Sequence, residues 1–222
     1  MTRDDATSTA QHTPQPDAAP PTAPPDTVLP DTVLPDTTTG AFHVVDDGTA
    51  VLSPEEFKAA FRNHPAGVAV ITADAGDGPV ALTATSVFSV SADPPLLVFS
   101  LSKTSGSTPT LMRAQTVVVH LLTERQLDIA VLGATSGVDR FADTSIWARL
   151  PTGEPYFTAA PVWIRGKVVD RMQAGGSTVL AVEALEARSP ERGSPEADAG
   201  NSRPLVYHNR TWHALSEASK LG

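Results

Sequence analysis

The chain has 222 residues with 16 Lys+Arg against 25 Asp+Glu, a net charge of −9, and no cysteine. Its length predicts one domain with ample chain for a core; the acidic balance argues against nucleic acid as a partner, and the missing cysteine removes disulfides, thiolate nucleophiles and thiolate metal sites. No apolar run approaches the roughly 18–20 residues that span a bilayer and no apolar leader opens the chain, so the expectation is a cytoplasmic protein that makes no membrane contact.

Residues 1–50 read as a disordered tail rich in Pro, Thr and Asp. Eight of the 20 prolines fall there, and eight Asp with no Glu against one Arg put −7 of the −9 in this stretch. Such composition buries too little apolar surface to offset ordering of the backbone. A tandem echo, Asp-Thr-Val-Leu-Pro at 26–30 and 31–35, reads either as a docking peptide or as drift in a linker.

The folded domain is expected over 51–217. Ser53-Pro54-Glu55-Glu56 has the form of a capping box with proline at the first helical position. The helix it opens, 54–63, places Phe57, Ala60 and Phe61 on one face. Ala66–Ala73 is a β-branched run read as a buried strand, and 74–79 is a turn. Val80–Val90 and Leu96–Leu101 are read as the next two strands. Thr108-Pro109 opens a short helix through Leu111 and Met112. Thr116–Leu122 is a strand, and Thr123–Gln126 repeats the capping-box form for a helix over 124–132. Residues 133–160 read as mostly irregular. Strands follow at 161–172, 177–187, 204–208 and 211–215, with a mobile loop over 189–203. Many strands with few short helices, and no βαβ alternation, predict a mainly β fold: a barrel with peripheral helices.

The stretch 81–108 carries the chemical signal. Two apolar runs are flanked by small hydroxyl residues, and the second cluster holds one lysine, Lys103. A strand pair ending this way can cup a phosphate-bearing ligand, with backbone N–H groups, hydroxyls and one cation as donors. The same hydroxyls can instead satisfy local backbone groups.

In chain order, Phe61-Arg62-x-His64-x-Ala66-Gly67-Val68-x-Val70-Ile71-Thr72, Thr83-Ala84-Thr85-Ser86, Ser89-Val90-Ser91-x-Asp93-Pro94-Pro95-Leu96 and Lys103-Thr104-Ser105-x-Ser107 form the first half of a pattern. Val119-His120-Leu121-Leu122, Asp139-Arg140-Phe141, Pro161-Val162-Trp163 and Leu205-Val206-Tyr207-His208 complete it. With these pieces the chain, over about 53–215, resembles the flavin reductase-like family. The resemblance implies an FMN-binding split β-barrel with a few short peripheral helices, and NAD(P)H-dependent reduction of FMN or FAD. It implies that Thr83, Ala84, Thr85 and Ser86 lie at the isoalloxazine, and that Lys103, Thr104, Ser105, Ser107 and Thr108 lie at the ribityl phosphate. NADH or NADPH is the implied co-substrate, with direct hydride transfer and therefore neither a catalytic side chain nor a metal. A homodimer is implied, as is a flavin-dependent monooxygenase partner that takes the reduced flavin.

One departure stands out. Reductases of this family commonly carry Gly-Asp-His where this chain has Gly175-Gly176-Ser177, so the nicotinamide region is expected at Ser177, Tyr207 and His208. His208 either approaches the nicotinamide in place of the missing histidine or caps the last strands. The departure keeps two alternatives open: a flavin carrier without NAD(P)H turnover, and a flavin oxidase whose pocket is lined by Tyr156-Phe157 and Gly176-Ser177. The six histidines show no metal-ligand spacing, and His120 reads as a satisfied histidine in a buried strand or as a flavin contact. Asp139-Arg140-Phe141 reads as an internal salt bridge with a packed ring, or as a cofactor contact. Trp147 and Trp163 read as core or interface aromatics, and Gly175-Gly176 as a turn.

Overall fold

The computed structural model describes residues 48, 50–191 and 203–221; the expected tail, apart from Gly48 and Ala50, and residues 192–202 of the expected loop lie outside these. α1, Pro54–Phe61, starts as its capping box dictates: Glu56 N–H donates to Ser53 Oγ and Ser53 N–H donates to the Glu56 carboxylate at 2.9 Å. Phe57 and Phe61 share a face, their ring centroids 4.8 Å apart. That face is uncovered, since no residue of α1 is buried.

Twelve strands follow or interleave: β1 (Ala66–Gly67), β2 (Ala69–Asp74), β3 (Pro79–Ala84), β4 (Phe88–Ala92), β5 (Pro95–Ser102), β6 (Thr116–Leu121), β7 (Trp147–Arg149), β8 (Pro155–Phe157), β9 (Val162–Ala174), β10 (Ser177–Arg188), β11 (Leu205–His208) and β12 (Thr211–Ala214). Two further helices are α2 (Thr108–Arg113) and α3 (Leu127–Ala134). Seven strands form one antiparallel sheet in the order β3-β2-β6-β9-β10-β5-β4; β1, β11 and β12 form a second sheet and β7-β8 a hairpin.

The sheet's two edge strands, β3 and β4, are consecutive in the chain and joined only by Thr85–Val87. At no more than about 3.6 Å per residue, so short a link forces the sheet to curl until its edges approach. The result is a barrel split along one seam. Its interior is filled by Ile71, Phe99, Leu101, Val119, Leu180 and Val182, all fully or nearly fully buried. A second apolar cluster, built on Val70, Ile129, Phe141 and Phe157, lies under α3.

Four expectations are corrected. The expected single strand over 66–73 is two strands: β1 pairs with β11 in the second sheet and β2 with β3 and β6 in the seven-stranded one. The expected single strand over 80–90 is two strands, because the chain leaves one sheet edge at Ala84 and joins the other at Phe88. Within the expected irregular segment, α3 continues to Ala134 and β7 pairs with β8, holding Trp147 opposite Phe157. Among the described residues Asp139 and Arg140 form no salt bridge: Asp139 Oδ1 accepts from Phe141 N–H at 2.9 Å, and Arg140 donates to the carbonyls of Leu132 and Thr135 at the end of α3. The Phe141 ring is packed as expected, edge-on to Trp147 and stacked on Phe157.

Candidate functional site

Thr85–Val87, at the seam, lie outside the strand ladder, and among the described residues no partner accepts from their backbone N–H groups. These are unspent donors at an exposed position, and Thr85 itself is exposed. The flanking side chains are engaged. Ser86 Oγ accepts from Ser100 N–H at 3.0 Å and pins the seam to β5. Thr83 Oγ1 donates to Ala130 O of α3 at 2.7 Å, and Ala84 is buried. What the segment offers a ligand is therefore mainly its main chain and Thr85.

The carboxyl end of β5 supplies the second element, beginning two residues beyond Ser100. Lys103 donates twice to the β9–β10 turn: its Nζ to Gly175 O at 3.0 Å and its backbone N–H to Gly176 O at 3.1 Å. Ser177, the first residue of β10, lies opposite Ser102. Thr104 is exposed and its hydroxyl lies 2.9 Å from that of Ser102. Ser107 and Thr108 differ from their neighbours. Both are buried, and their hydroxyls donate to Ala81 O and Ser102 O at 2.7 Å. Lys103, Thr104 and Ser105 form the outward-facing part of the cluster, while Ser107 and Thr108 brace it. Arg140 adds a cation behind this brace, its Nη1 donating to Ser107 Oγ at 3.4 Å. Burial pulls the Arg140 pKa below its ordinary value.

A cleft of about 740 Å³ opens at the seam. It is walled by Phe57, Phe61 and Arg62 from α1 and its end, by Thr85 and Ser86, and by Tyr207 and Arg210 near the β11–β12 turn. The expected nicotinamide residues thus separate. Tyr207 stands at the cleft with Thr85 and Ser86, and Ser177 stands with Lys103. His208 packs its ring against His213, centroids 5.5 Å apart. Arg62 and Arg210 were not singled out by sequence reasoning for this position. The available signal was the Asn209-Arg210 pair, a two-residue link between strands.

His120 is a structural histidine. It is fully buried, with Nδ1 2.9 Å from Val70 O and Nε2 accepting from Phe157 N–H at 3.1 Å. This pattern requires the neutral ring protonated on Nδ1, and burial pushes its pKa down to about 4. The pocket expected from Tyr156-Phe157 does not form around Phe157, which is fully buried. Among the described residues no group of three His, Asp or Glu side chains is arranged to hold a metal. No helix there is long and apolar enough to cross a membrane.

Comparison with known proteins adds four findings. Residues 61–216 match the model of the flavin reductase like domain. The NADH:FMN oxidoreductase of Rhodococcus erythropolis is 41% identical over 158 residues, 71% of this chain and 80% of that one. The reductase component of a 4-nitrophenol 4-monooxygenase/4-nitrocatechol 2-monooxygenase from Rhodococcus opacus is 29% identical over 162 residues, 71% of this chain and 80% of that one. In structure, a flavin reductase domain protein from Arthrobacter sp. FB24 superimposes with a TM-score of 0.66 at 30% identity, covering 74% of this chain and 96% of that one.

Proposed function

The chain belongs to the flavin reductase-like family, and from that premise we propose that it is an NAD(P)H:flavin oxidoreductase acting on FMN or FAD. The observation that carries this reading is the seam: free backbone donors at Thr85–Val87 beside an outward hydroxyl-and-lysine cluster three to five residues beyond Ser100, at the end of one strand. At about 3.3 Å per residue, Ser100 and Lys103 lie roughly 10 Å apart along the chain, a span a ribityl phosphate can bridge. The residues present fit the group. Main-chain N–H groups of 85–87 would meet the polar edge of the isoalloxazine, and Lys103, Thr104 and Ser105 its phosphate. Charge-assisted donors to phosphate contribute on the order of 1.5–3 kcal/mol each when shielded from water.

Bound flavin supplies the two-electron acceptor, and the nicotinamide supplies the hydride. The protein's part is to hold the two rings in contact and to keep water from between them. No side-chain nucleophile is required, which agrees with a site built from main chain, hydroxyls and one lysine.

The same reading includes a homodimer and delivery of reduced flavin to an oxygenase. Support for the dimer comes from β4, an edge strand whose Phe88 and Val90 are 61% and 55% exposed. Exposed apolar edges of this kind are normally covered. Support for the oxygenase comes from the Rhodococcus opacus relative, itself the reductase component of a monooxygenase. The reading also puts the protein in the cytoplasm, where reduced pyridine nucleotide is at hand. The deciding experiment is anaerobic mixing of the purified protein with FMN or FAD and then NADH or NADPH. Bleaching of the visible flavin band at catalytic protein concentration is expected. Flavin binding without bleaching by either nucleotide would overturn the reductase reading and favour a flavin carrier.

A further inference from the structure

Resting on the reductase reading, we propose that the cleft between α1 and the β11–β12 turn seats the adenylate half of the pyridine nucleotide. Arg62 and Arg210 would hold its diphosphate, and the Phe57–Phe61 pair would receive the adenine. Four observations converge.

The first is electrostatic. In a chain of net charge −9, the cleft is lined, among the described residues, by Lys58, Arg62 and Arg210 and by no acidic residue. Lys58 is shared with Glu55 at 3.9 Å. Arg113, Arg149, Arg165 and Arg203 pair with carboxylates; among the described residues Arg62 and Arg210 have no ion pair, a state they share with Arg125, Arg140, Arg171 and Arg188 but in which they alone line this cleft. Two uncompensated guanidinium groups facing one cavity make a site for a dianion, which they can grip bidentately.

The second is the backbone at the turn. Asn209 and Arg210 have φ of 47° and 63° and are the only described non-glycine residues in the left-handed region. Asparagine tolerates that region, but an arginine there costs on the order of 1 kcal/mol relative to glycine. A two-residue hairpin with both centres left-handed strongly prefers glycine at the second position. Keeping arginine there retains a side chain at a conformational cost, a pattern associated with functional sites.

The third is the aromatic wall. Phe57 and Phe61 are 52% and 57% exposed, adjacent and tilted, with His64 edge-on to Phe61 at 6.0 Å. Two exposed rings beside two unpaired guanidinium groups match a purine joined to a diphosphate. The fourth is continuity. Thr85 and Ser86 line the same cleft, so a dinucleotide seated there reaches the seam where the flavin ring is proposed to lie. The carboxyl end of α1 faces the cleft, and its dipole disfavours an anion, so side-chain cations must supply the attraction.

The test uses the full chain. ADP-ribose, which carries the adenylate half but cannot be oxidised, is titrated by calorimetry into wild type, Arg62→Gln, Arg210→Gln and Phe61→Ala. Affinity is expected to fall roughly tenfold for each arginine variant, in line with loss of one partly exposed charge-assisted contact. FMN affinity should hold. In steady state the KM for NADH rises with kcat little changed, and the KM for reduced nicotinamide mononucleotide, which lacks the adenylate, stays the same. Arg210→Gly separates fold from function: it should raise the unfolding temperature while weakening ADP-ribose. Unchanged ADP-ribose affinity in both arginine variants overturns the proposal. A loss of FMN affinity in place of ADP-ribose affinity also overturns it and assigns the cations to the flavin phosphate. Wild type that binds ADP-ribose but leaves NADH unoxidised would sink the reductase reading and leave the cleft assignment standing.

Discussion

Gly133 is where α3 touches the strand that ends in the seam, and replacing it tests whether that contact sets the seam's position. A Cβ at Gly133 would fall well inside van der Waals contact of the Thr83 hydroxyl, 3.2 Å from Thr83 N and 3.4 Å from Val70 Cγ2. The hydroxyl cannot stay, so its 2.7 Å hydrogen bond to Ala130 O is lost, at about 1 kcal/mol. Crowding the backbone nitrogen adds roughly 1–3 kcal/mol, and the better helix propensity of alanine returns at most about 1 kcal/mol. Gly133→Ala is therefore expected to destabilise the domain by about 1–3 kcal/mol and to weaken flavin binding through displacement of residues 83–86. Thr83→Ala alone should lose only the hydrogen bond. In the double variant the hydroxyl clash is gone and the hydrogen bond is lost once instead of twice, while the contact with Thr83 N remains, so the two changes should be less costly together than their sum by about 1 kcal/mol. Urea denaturation of the four proteins gives this coupling energy directly. A Gly133→Ala protein as stable as wild type, or strict additivity in the cycle, would refute the reasoning.

Other consequences are as sharp. His120 is neutral in the fold, with its pKa pushed from 6.5 down to about 4; a lowered folded-state value means stability is complete above about pH 6.5 and lost as pH falls toward 4. The loss amounts to about 3 kcal/mol from this one group, and an NMR titration in which the His120 ring protonates near its ordinary value contradicts the assignment. Lys103→Ala and Ser105→Ala should each weaken FMN several-fold at little cost in stability. Ser107→Ala should do the reverse, because its buried hydroxyl holds Ala81 O, with a stability loss of about 1–2 kcal/mol; paired titration and denaturation curves check the contrast. At Gly166, in β9, a Cβ would collide with Val182 Cγ1 and sit 2.8 Å from Glu183 O. Both belong to the neighbouring strand, so Gly166→Ala should cost about 3 kcal/mol or more, read as a lower unfolding temperature, and an unchanged midpoint would show that the strands can spread.

Much of this fold was legible locally. The capping box at Ser53 and the β-branched run at 116–122 each carry their own cause, and both elements lie within a few residues of their expected bounds, whereas the run at 66–73 divides at Val68 between two sheets. What escaped is non-local. Thr85–Val87 continue a strand-like pattern, and nothing in their identity says that β3 and β4 are opposite edges of one curled sheet. The β7–β8 pair is three residues long on each side, too short for alternation to register. At the site, residue type was visible but engagement was not. Ser105 and Ser107 read alike in the sequence, yet the Ser107 hydroxyl donates to a core carbonyl, while that of Ser105, a half-buried residue, accepts from Ser107 N–H at 3.4 Å.

That distinction locates the chemistry more firmly than residue type does. Several buried polar groups are matched within the chain: Thr72 to Pro155 O, His120 to Val70 and Phe157, Ser107 to Ala81, and Glu154 to Arg165 at 2.8 Å; the Trp163 Nε1 and Arg171 Nε donors are exceptions. Burial alone would raise the Glu154 carboxyl, but hydrogen bonds from Thr152, Thr116 and Arg165 hold it below the ordinary carboxylate range. Removing either partner of such a pair leaves a stranded charge costing about 3–5 kcal/mol, so these groups are committed to the fold. Among the unmatched donors of the described residues are the three N–H groups of the seam and the two guanidinium groups of the cleft beside it. A sheet that closed fully would have paired the seam, and a glycine at position 210 would have relaxed the turn. The chain forgoes both stabilising options within a single surface region. Marginal stability makes such concessions costly, so their coincidence argues for one continuous ligand surface running from the β5 end across the seam to α1.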